Sequence, residues 1–175
     1  MTYSAYFDCQ TGISGDMILG ACVDAGAPSS AIKAEIKNLK LNNCSLSVTR
    51  VIKKGISASK VEVHIHEHHH HHGHSHSHSK YIEIDRFIKN SALRSSLKDR
   101  TREIFLEIAR AESKVHGESL KQIHFHELGS PDTIVDVVGA LVCFEELKIE
   151  KIFSSPLNVG GNILIKTAHG LLPNP

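Results

Sequence analysis

The chain has 175 residues, of which 41% are hydrophobic, and a formal net charge of +1 from 20 basic and 19 acidic residues. This length suits one domain with its own core, and the balanced charge argues against nucleic-acid binding. No apolar run approaches the ~20 residues of a membrane span, no secretory signal opens the chain, and four cysteines form no CxxC pair. We therefore expect a cytoplasmic protein that binds neither nucleic acid nor membrane. Histidine is the unusual feature, with 14 residues, ten of them between His64 and His78.

The first motif lies between a predicted strand (residues 3–8) and a predicted apolar helix (residues 18–25). A glycine-bearing loop that leads into a helix presents backbone N–H groups to an anion. We call residues 12–16 the glycine loop; its spacing matches neither a Walker A motif nor a dinucleotide fingerprint. The candidate phosphate-binding residues are Gly12, Ser14, Gly15 and Asp16.

Two acids belong to this region: Asp8 lies at the end of the strand that precedes the glycine loop, and Asp16 is the last residue of the loop, at the start of the helix. Carboxylates in these positions would suit a divalent cation bound beside a phosphate. The simpler interpretation of Asp16 is an acid stabilised by the dipole at a helix N-terminus. Both interpretations remain open at this point.

The middle of the chain predicts a helix at 31–39 capped by Ser29, then an antiparallel hairpin of strands at 44–51 and 58–65. A low-complexity segment follows, residues 66–79, with nothing hydrophobic to bury, and we expect a disordered, solvated loop. Its imidazoles are suited to Ni, Cu, Zn or Co. The candidate metal ligands in this loop are His68, His70, His72, His74 and His76.

A second candidate metal site follows two predicted helices at 81–90 and 93–116. In an extended segment at 122–125, His124 and His126 project to the same side, and Glu127 comes next. Two imidazoles and a carboxylate are metal-ligand types. The alternative is an ordinary strand and turn without a metal.

The helix predicted at 131–147 carries Asp132 and Asp136 on one face. Asp136 interrupts an apolar run, where a charge is costly unless it is paired or hydrogen-bonded. Gly139 lies one turn further on and predicts a close approach by another element. A strand at 149–154, a loop at 155–161 and a strand at 162–166 complete the predicted elements.

These elements predict an α/β domain, with α+β as the alternative: one compact unit with a mixed sheet, packed helices and the His-rich loop. Residues 1–65 and 80–166 would form its two halves, separated by residues 66–79. Residues 167–175 read as an extended segment that leads to a missing C-terminal domain.

Five motifs in this order resemble the LarC family of nickel insertion proteins: FDCQTGISGDM, the His-rich tract, IHFHELGSPDTIVDVVG, SPLNVGG and HGLLPNP. The resemblance covers essentially the whole chain. It implies insertion of nickel into pyridinium-3,5-bisthiocarboxylic acid mononucleotide, which yields the nickel-pincer cofactor of lactate racemase. It further implies use of CTP with Mg or Mn in a C-terminal domain, so that this chain alone would be inactive.

The resemblance also gives the candidate residues roles. The glycine loop would receive the phosphate of the mononucleotide, the His-rich loop would capture nickel, and His124, His126 and Glu127 would form a defined acceptor site. Formation of the Ni–C bond requires a base that removes a ring proton. The candidates, which the sequence does not rank, are Asp8, Asp16, Asp136 and His169.

Two other classes of function remain. One is a nickel storage or chaperone module without chemistry of its own, suggested by the His-rich loop. The other is a phosphate-dependent hydrolase or transferase, suggested by the glycine loop with its two acids. Partners implied by the family are the mononucleotide and the lactate racemase apoprotein; the sequence leaves the oligomeric state open, a homo-oligomer included.

Overall fold

The computed structural model describes residues 1–41, 44–65, 79–125, 128–159, 161, 164–167 and 170–173. These residues form five helices and eight strands. Their bounds are β1 (Tyr3–Phe7), α1 (Gly15–Asp24), α2 (Ser29–Asn38), β2 (Cys44–Lys53), β3 (Ile56–Ile65), β4 (Ser79–Lys80), α3 (Tyr81–Asn90), α4 (Ser95–His116), β5 (His124–Phe125), α5 (Pro131–Glu146), β6 (Ile149–Ser154), β7 (Leu164–Thr167) and β8 (Gly170–Pro173). In the described part of the chain, no helix is long and apolar enough to span a membrane.

The strands form four separate pairs among the described residues, with β1 and β6 parallel and β2–β3, β4–β5 and β7–β8 antiparallel. The predicted α/β class, with helices packed on strands in a single compact domain, is confirmed. Among the described residues the pairs do not join into one sheet, and β3 packs against α1. Except for Ser79, which begins β4, the predicted His-rich loop lies outside the described residues.

Helix α5 lies at the centre of the core, with α1, α2 and α4 packed against it. Two glycines allow these close contacts. A Cβ at Gly139 would lie 2.8 Å from the Leu19 Cδ2 atom of α1, so α1 is the element whose close approach the sequence predicted. A Cβ at Gly20 would lie 2.5 Å from the backbone oxygen of Ser59, which brings β3 onto the other side of α1.

Helices α3 and α4 pack against each other, and α4 also packs against α5. Phe105 of α4 and Phe125 of β5 are fully buried, with their ring centroids 6.2 Å apart. The Arg102 guanidinium donates two hydrogen bonds to the Asp85 carboxylate, at 2.7 and 3.2 Å, and so joins the two helices. Gly117 ends α4 with φ of +68°, as the sequence predicted.

Candidate functional site

The parallel pair places two loops at the same edge of a sheet, because the carboxyl ends of β1 and β6 lie side by side. Ser155, only 6% exposed, joins these loops. Its hydroxyl oxygen accepts a hydrogen bond of 2.8 Å from the Cys9 N–H, and its own N–H donates to the Phe7 carbonyl at 2.9 Å. The carboxyl edge of parallel strands is where α/β proteins bind ligands.

The loop after β1 turns tightly before α1 begins. Gly12 has φ of +92°, a conformation that L side chains rarely adopt, and its N–H donates to the Cys9 carbonyl at 3.1 Å. Asp8 is exposed, and its carboxylate accepts a hydrogen bond of 3.4 Å from the Gln10 N–H. Asp8 thus bonds within its own loop.

Helix α1 begins at Gly15, three residues before the predicted start, so the end of the glycine loop forms the first helical turn. Ser14 is the N-cap residue in an extended conformation, but its side chain makes no capping bond to the backbone. Its hydroxyl donates instead to the carboxylate of the exposed Asp16. The first N–H groups of α1 therefore receive no side-chain cap from Ser14, and uncapped N–H groups at a helix start favour an anion.

The most informative contact joins α1 to α5. A Cβ built on Gly15 would lie 2.3 Å from the Asp136 Oδ2 atom and 2.4 Å from its Cβ and Cγ atoms. Only glycine fits at this position, since real Cβ atoms essentially never approach so closely. The contact places the Asp136 carboxylate directly against the start of α1. Two motifs that are distant in the sequence, the glycine loop and the acidic helix, thus lie in direct contact.

Asp136 has an unusual electrostatic environment. Its Oδ1 atom is buried and has no hydrogen-bond partner among the described residues. Burial raises the pKa of Asp136 to about 6, and the negative charges of Asp132 and Asp16 add to the effect. A carboxylate whose pKa lies close to neutrality is a better proton acceptor than an ordinary surface acid.

Further along the same two helices, a pair of buried thiols meets. Cys22 of α1 and Cys143 of α5 share a hydrogen bond, which lowers the pKa of Cys22 and raises that of Cys143. Together with Gly15 beside Asp136 and Leu19 beside Gly139, this contact holds α1 and α5 in a fixed register. The position of Asp136 relative to the glycine loop is therefore set by packing over about two turns of helix.

The predicted metal ligands are only partly described. His124 lies half-buried in β5, where Lys80 of β4 is its partner in the strand register. Among the described residues, no group of three or more His, Cys, Asp or Glu side chains is arranged to hold a metal ion. The other predicted ligands and one predicted base lie outside the described residues: His126, Glu127, His68, His70, His72, His74, His76 and His169. The metal sites therefore stay predictions.

Sequence reasoning did not identify Ser155 or the contact of Gly15 with Asp136. The available signal for Ser155 was its position, because it directly follows the predicted strand at 149–154. Cys9 likewise directly follows the predicted strand at 3–8. The parallel pairing of β1 with β6, which a pattern of side chains does not reveal, was needed to bring the two strand ends together.

Comparison with known proteins places the chain in a family. The family model described as "Nickel insertion protein" matches residues 5–175. Similar curated proteins include the pyridinium-3,5-bisthiocarboxylic acid mononucleotide nickel insertion proteins of Desulfitobacterium hafniense and Clostridium kluyveri. The first is 45% identical over 172 residues, 98% of this chain and 41% of the relative. The second is 40% identical over 176 residues, 97% of this chain and 44% of the relative.

The chain thus spans less than half the length of these curated relatives. No solved structure shows significant similarity to it. The family model covers nearly all of the chain, and the relatives match it from end to end at 40–45% identity. The chain belongs to the nickel insertion protein family.

Proposed function

We propose that the family polypeptide to which this chain corresponds inserts nickel into pyridinium-3,5-bisthiocarboxylic acid mononucleotide. This chain would bind the mononucleotide and supply the base for the insertion step. The observation that carries the proposal is the contact between Gly15 and Asp136, which combines an anion-binding helix start with a proton acceptor. The names of the relatives supply the substrate.

The glycine loop is the proposed phosphate site. The first N–H groups of α1 and the turn at Gly12 lie at the carboxyl edge of β1 and β6, where an anion is favoured by the helix dipole. The exposed carboxylate of Asp16 is held by the Ser14 hydroxyl. A divalent cation bound with the phosphate would offset the repulsion between that carboxylate and the ligand.

Asp136 is the proposed base. A Ni–C bond forms only if the pyridinium ring carbon loses its proton, and a carboxylate with a pKa of about 6 accepts a proton near neutral pH. Asp8 and Asp16 are weaker candidates because both are exposed and each accepts a hydrogen bond from its own loop. His169 remains a candidate from the sequence.

Nickel is the second substrate of the proposed reaction. The histidines of the 66–78 segment would capture it, and His124 with His126 and Glu127 would hold it before transfer to the sulfur atoms of the mononucleotide. Substituting His124→Ala and His126→Ala should then weaken nickel binding that does not depend on the 66–78 segment. Unchanged nickel affinity in both variants would exclude this acceptor site.

The remaining parts of the proposal follow from the family resemblance. CTP and its Mg or Mn ion would bind in the portion of the relatives that this chain does not match, so this chain alone would not complete the reaction. The product would be the nickel-pincer cofactor, delivered to the lactate racemase apoprotein in the cytoplasm. The enzyme would be a nickel-inserting cyclometallase of the lyase class, with residues 1–65 and 80–166 forming one unit.

The direct test uses a chimera in which this chain replaces the matching portion of the Desulfitobacterium hafniense relative. Compared with the unsubstituted chimera, Asp136→Asn should slow nickel insertion by about 10²–10⁴-fold while the affinity for the mononucleotide changes little. The rate of the unsubstituted chimera should rise through pH about 6, where Asp136 becomes ionised. An insertion rate for Asp136→Asn close to that of the reference would refute the role of Asp136.

Asp132→Asn is the matched control, since it removes a neighbouring charge that raises the pKa of Asp136 without removing the proposed base. It should retain the rate at high pH and move the rising limb of the pH profile to lower pH. A fall in rate equal to that of Asp136→Asn would mean that the insertion rate depends on the total negative charge of α5 and not on the Asp136 carboxylate alone.

The second candidate function is a nickel storage module, favoured by the histidine content of residues 66–78. Deleting residues 67–78 distinguishes a storage module from an insertion enzyme. A storage module loses nearly all nickel binding, whereas an insertion enzyme keeps its activity when nickel is abundant and loses it only when nickel is scarce.

A further inference from the structure

The parallel pair of β1 and β6 leaves large side chains exposed on the face turned away from α5. Phe7 contacts Phe144 of α5, with ring centroids 6.0 Å apart, so alternate residues of β1 point toward α5. Tyr6 then points to the opposite face, beside its register partner Phe153. Tyr6 is 67% exposed and Phe153 is 55% exposed. Two adjacent aromatic rings therefore lie on the surface of a parallel strand pair.

The face turned toward α5 is also incompletely covered. Tyr3 and Ile152 lie on that side by strand alternation, yet they are 57% and 50% exposed. Helix α5 thus covers the carboxyl end of the pair, at Phe7, but leaves its beginning open. We call the exposed set Tyr3, Tyr6, Ile152 and Phe153 the β1–β6 surface.

The edges of this pair are open as well. Within the described residues, β1 pairs with β6 alone and β6 with β1 alone, so each strand has one side without a neighbouring strand. Parallel strands are found almost only in sheets covered on both faces, and an isolated two-stranded pair is marginally stable in water. The pair has the features of the interior of a larger sheet.

We propose that the β1–β6 surface is covered by the portion of the family polypeptide that this chain does not match, which adds strands to the open edges and packs over Tyr6 and Phe153. That portion is more than half of the relatives' length, as the chain spans 41% of one and 44% of another. A parallel strand needs a crossover connection of a dozen or more residues, and a portion of this size supplies several. The surface is distinct from the Asp136 site and does not depend on its function.

A second copy of this chain is the competing occupant. A two-fold dimer would place identical strands against each other in antiparallel orientation, which covers one edge per copy and leaves the other open. The unmatched portion can cover both edges and both faces, because its length permits several elements. We therefore assign the surface to the unmatched portion.

The test compares amide hydrogen exchange in this chain with that in the intact Desulfitobacterium hafniense relative. Peptides that cover β1 and β6 should exchange at least about tenfold more slowly in the intact relative, after correction for intrinsic rates, because their free edges become paired. The control is the tip of the β2–β3 hairpin, where Ile52 and Ile56 are exposed. Exchange there should be similar in both proteins, which separates local covering from a general gain in stability.

Equal protection of β1 and β6 in the two proteins would overturn the proposal. Analytical ultracentrifugation of this chain tests the competing occupant. A concentration-dependent dimer that protects β1 and β6, and that Phe153→Ser abolishes, would assign the surface to a second copy and also overturn the proposal. A chain that stays monomeric, with protection only in the intact relative, is the expected result.

Discussion

Replacing Asp136 by asparagine should stabilise the isolated chain above pH 6, although the same change should slow the proposed nickel insertion. The carboxylate is half-buried, its Oδ1 atom has no partner in the described part of the chain, and Asp132 and Asp16 add unfavourable charge. Asparagine has nearly the same shape and carries no charge, so it fits beside Gly15 without this electrostatic cost. Residues under selection for chemistry are often unfavourable for stability.

The expected magnitude follows from the pKa of Asp136, which is raised from 3.8 to about 6. One pKa unit corresponds to about 1.4 kcal/mol, so the complete shift corresponds to about 3 kcal/mol. Because solvent screens a half-buried carboxylate, we reduce the expected difference in unfolding free energy to about 1.5 kcal/mol.

The direction of the pKa shift determines the pH range in which wild type and Asp136→Asn differ in stability. The folded state binds the Asp136 proton more tightly than the unfolded state, so this stabilising contribution is complete below the unfolded pKa of 3.8 and is lost as pH rises through about 6. Wild type and Asp136→Asn should therefore have similar stability near pH 4. Above pH 6 the variant should be more stable.

Urea unfolding followed by circular dichroism at several pH values between 4 and 8 measures this difference. Asp132→Asn is the control, an exposed residue on the same helix whose loss should change stability by less than about 0.5 kcal/mol. If Asp136→Asn were less stable than wild type at pH 8, Asp136 would have a stabilising partner, and its assignment as an unpaired, activated carboxylate would be wrong.

Three further substitutions test the packing that forms the site, each by urea unfolding of this chain. Gly20→Ala should destabilise the fold by about 1–3 kcal/mol, because the added methyl meets a backbone oxygen of β3 at 2.5 Å. Gly139→Ala should change stability by less than about 1 kcal/mol, since the methyl meets side chains rather than backbone, the Leu19 Cδ2 atom at 2.8 Å and the Ile32 Cγ2 atom at 3.3 Å; a cost equal to that of Gly20→Ala would mean that α1 and α2 cannot adjust. Ser155→Ala should cost about 1–3 kcal/mol, because it leaves the Cys9 N–H without its acceptor; no loss of stability would show that Ser155 does not hold the two loops together.

The sequence predicted the helices and strands well where their patterns are long. The bounds of α3 and β6 agree with the prediction, and α4 ends at His116 as predicted, because Gly117 can adopt the positive φ that ends a helix. The start of α1 was missed because glycine has a low helix propensity, whereas here Gly15 is required by the approach of Asp136. Tertiary packing thus overrode local preference.

The candidate site was predictable in its parts but not in its assembly. The glycine loop and Asp136 were each recognisable, one from its turn residues and the other from a charge in an apolar run. Their contact depends on how α1 packs on α5, and periodicity specifies which face of a helix is buried but not which helix covers it. Ser29 shows the same limit on a smaller scale: it was predicted as a cap, but α2 begins at Ser29 itself, with Pro28 in the cap position.

The central claim is that this chain, and not only its His-rich segment, carries the place where nickel meets the mononucleotide. The most direct test is calorimetric titration of nickel into this chain and into a variant lacking residues 67–78, each with and without the mononucleotide. We predict one site that survives the deletion and binds nickel more tightly when the mononucleotide is present. Loss of all nickel binding with the deletion would contradict the claim and would leave this chain as a collector of nickel for chemistry performed elsewhere.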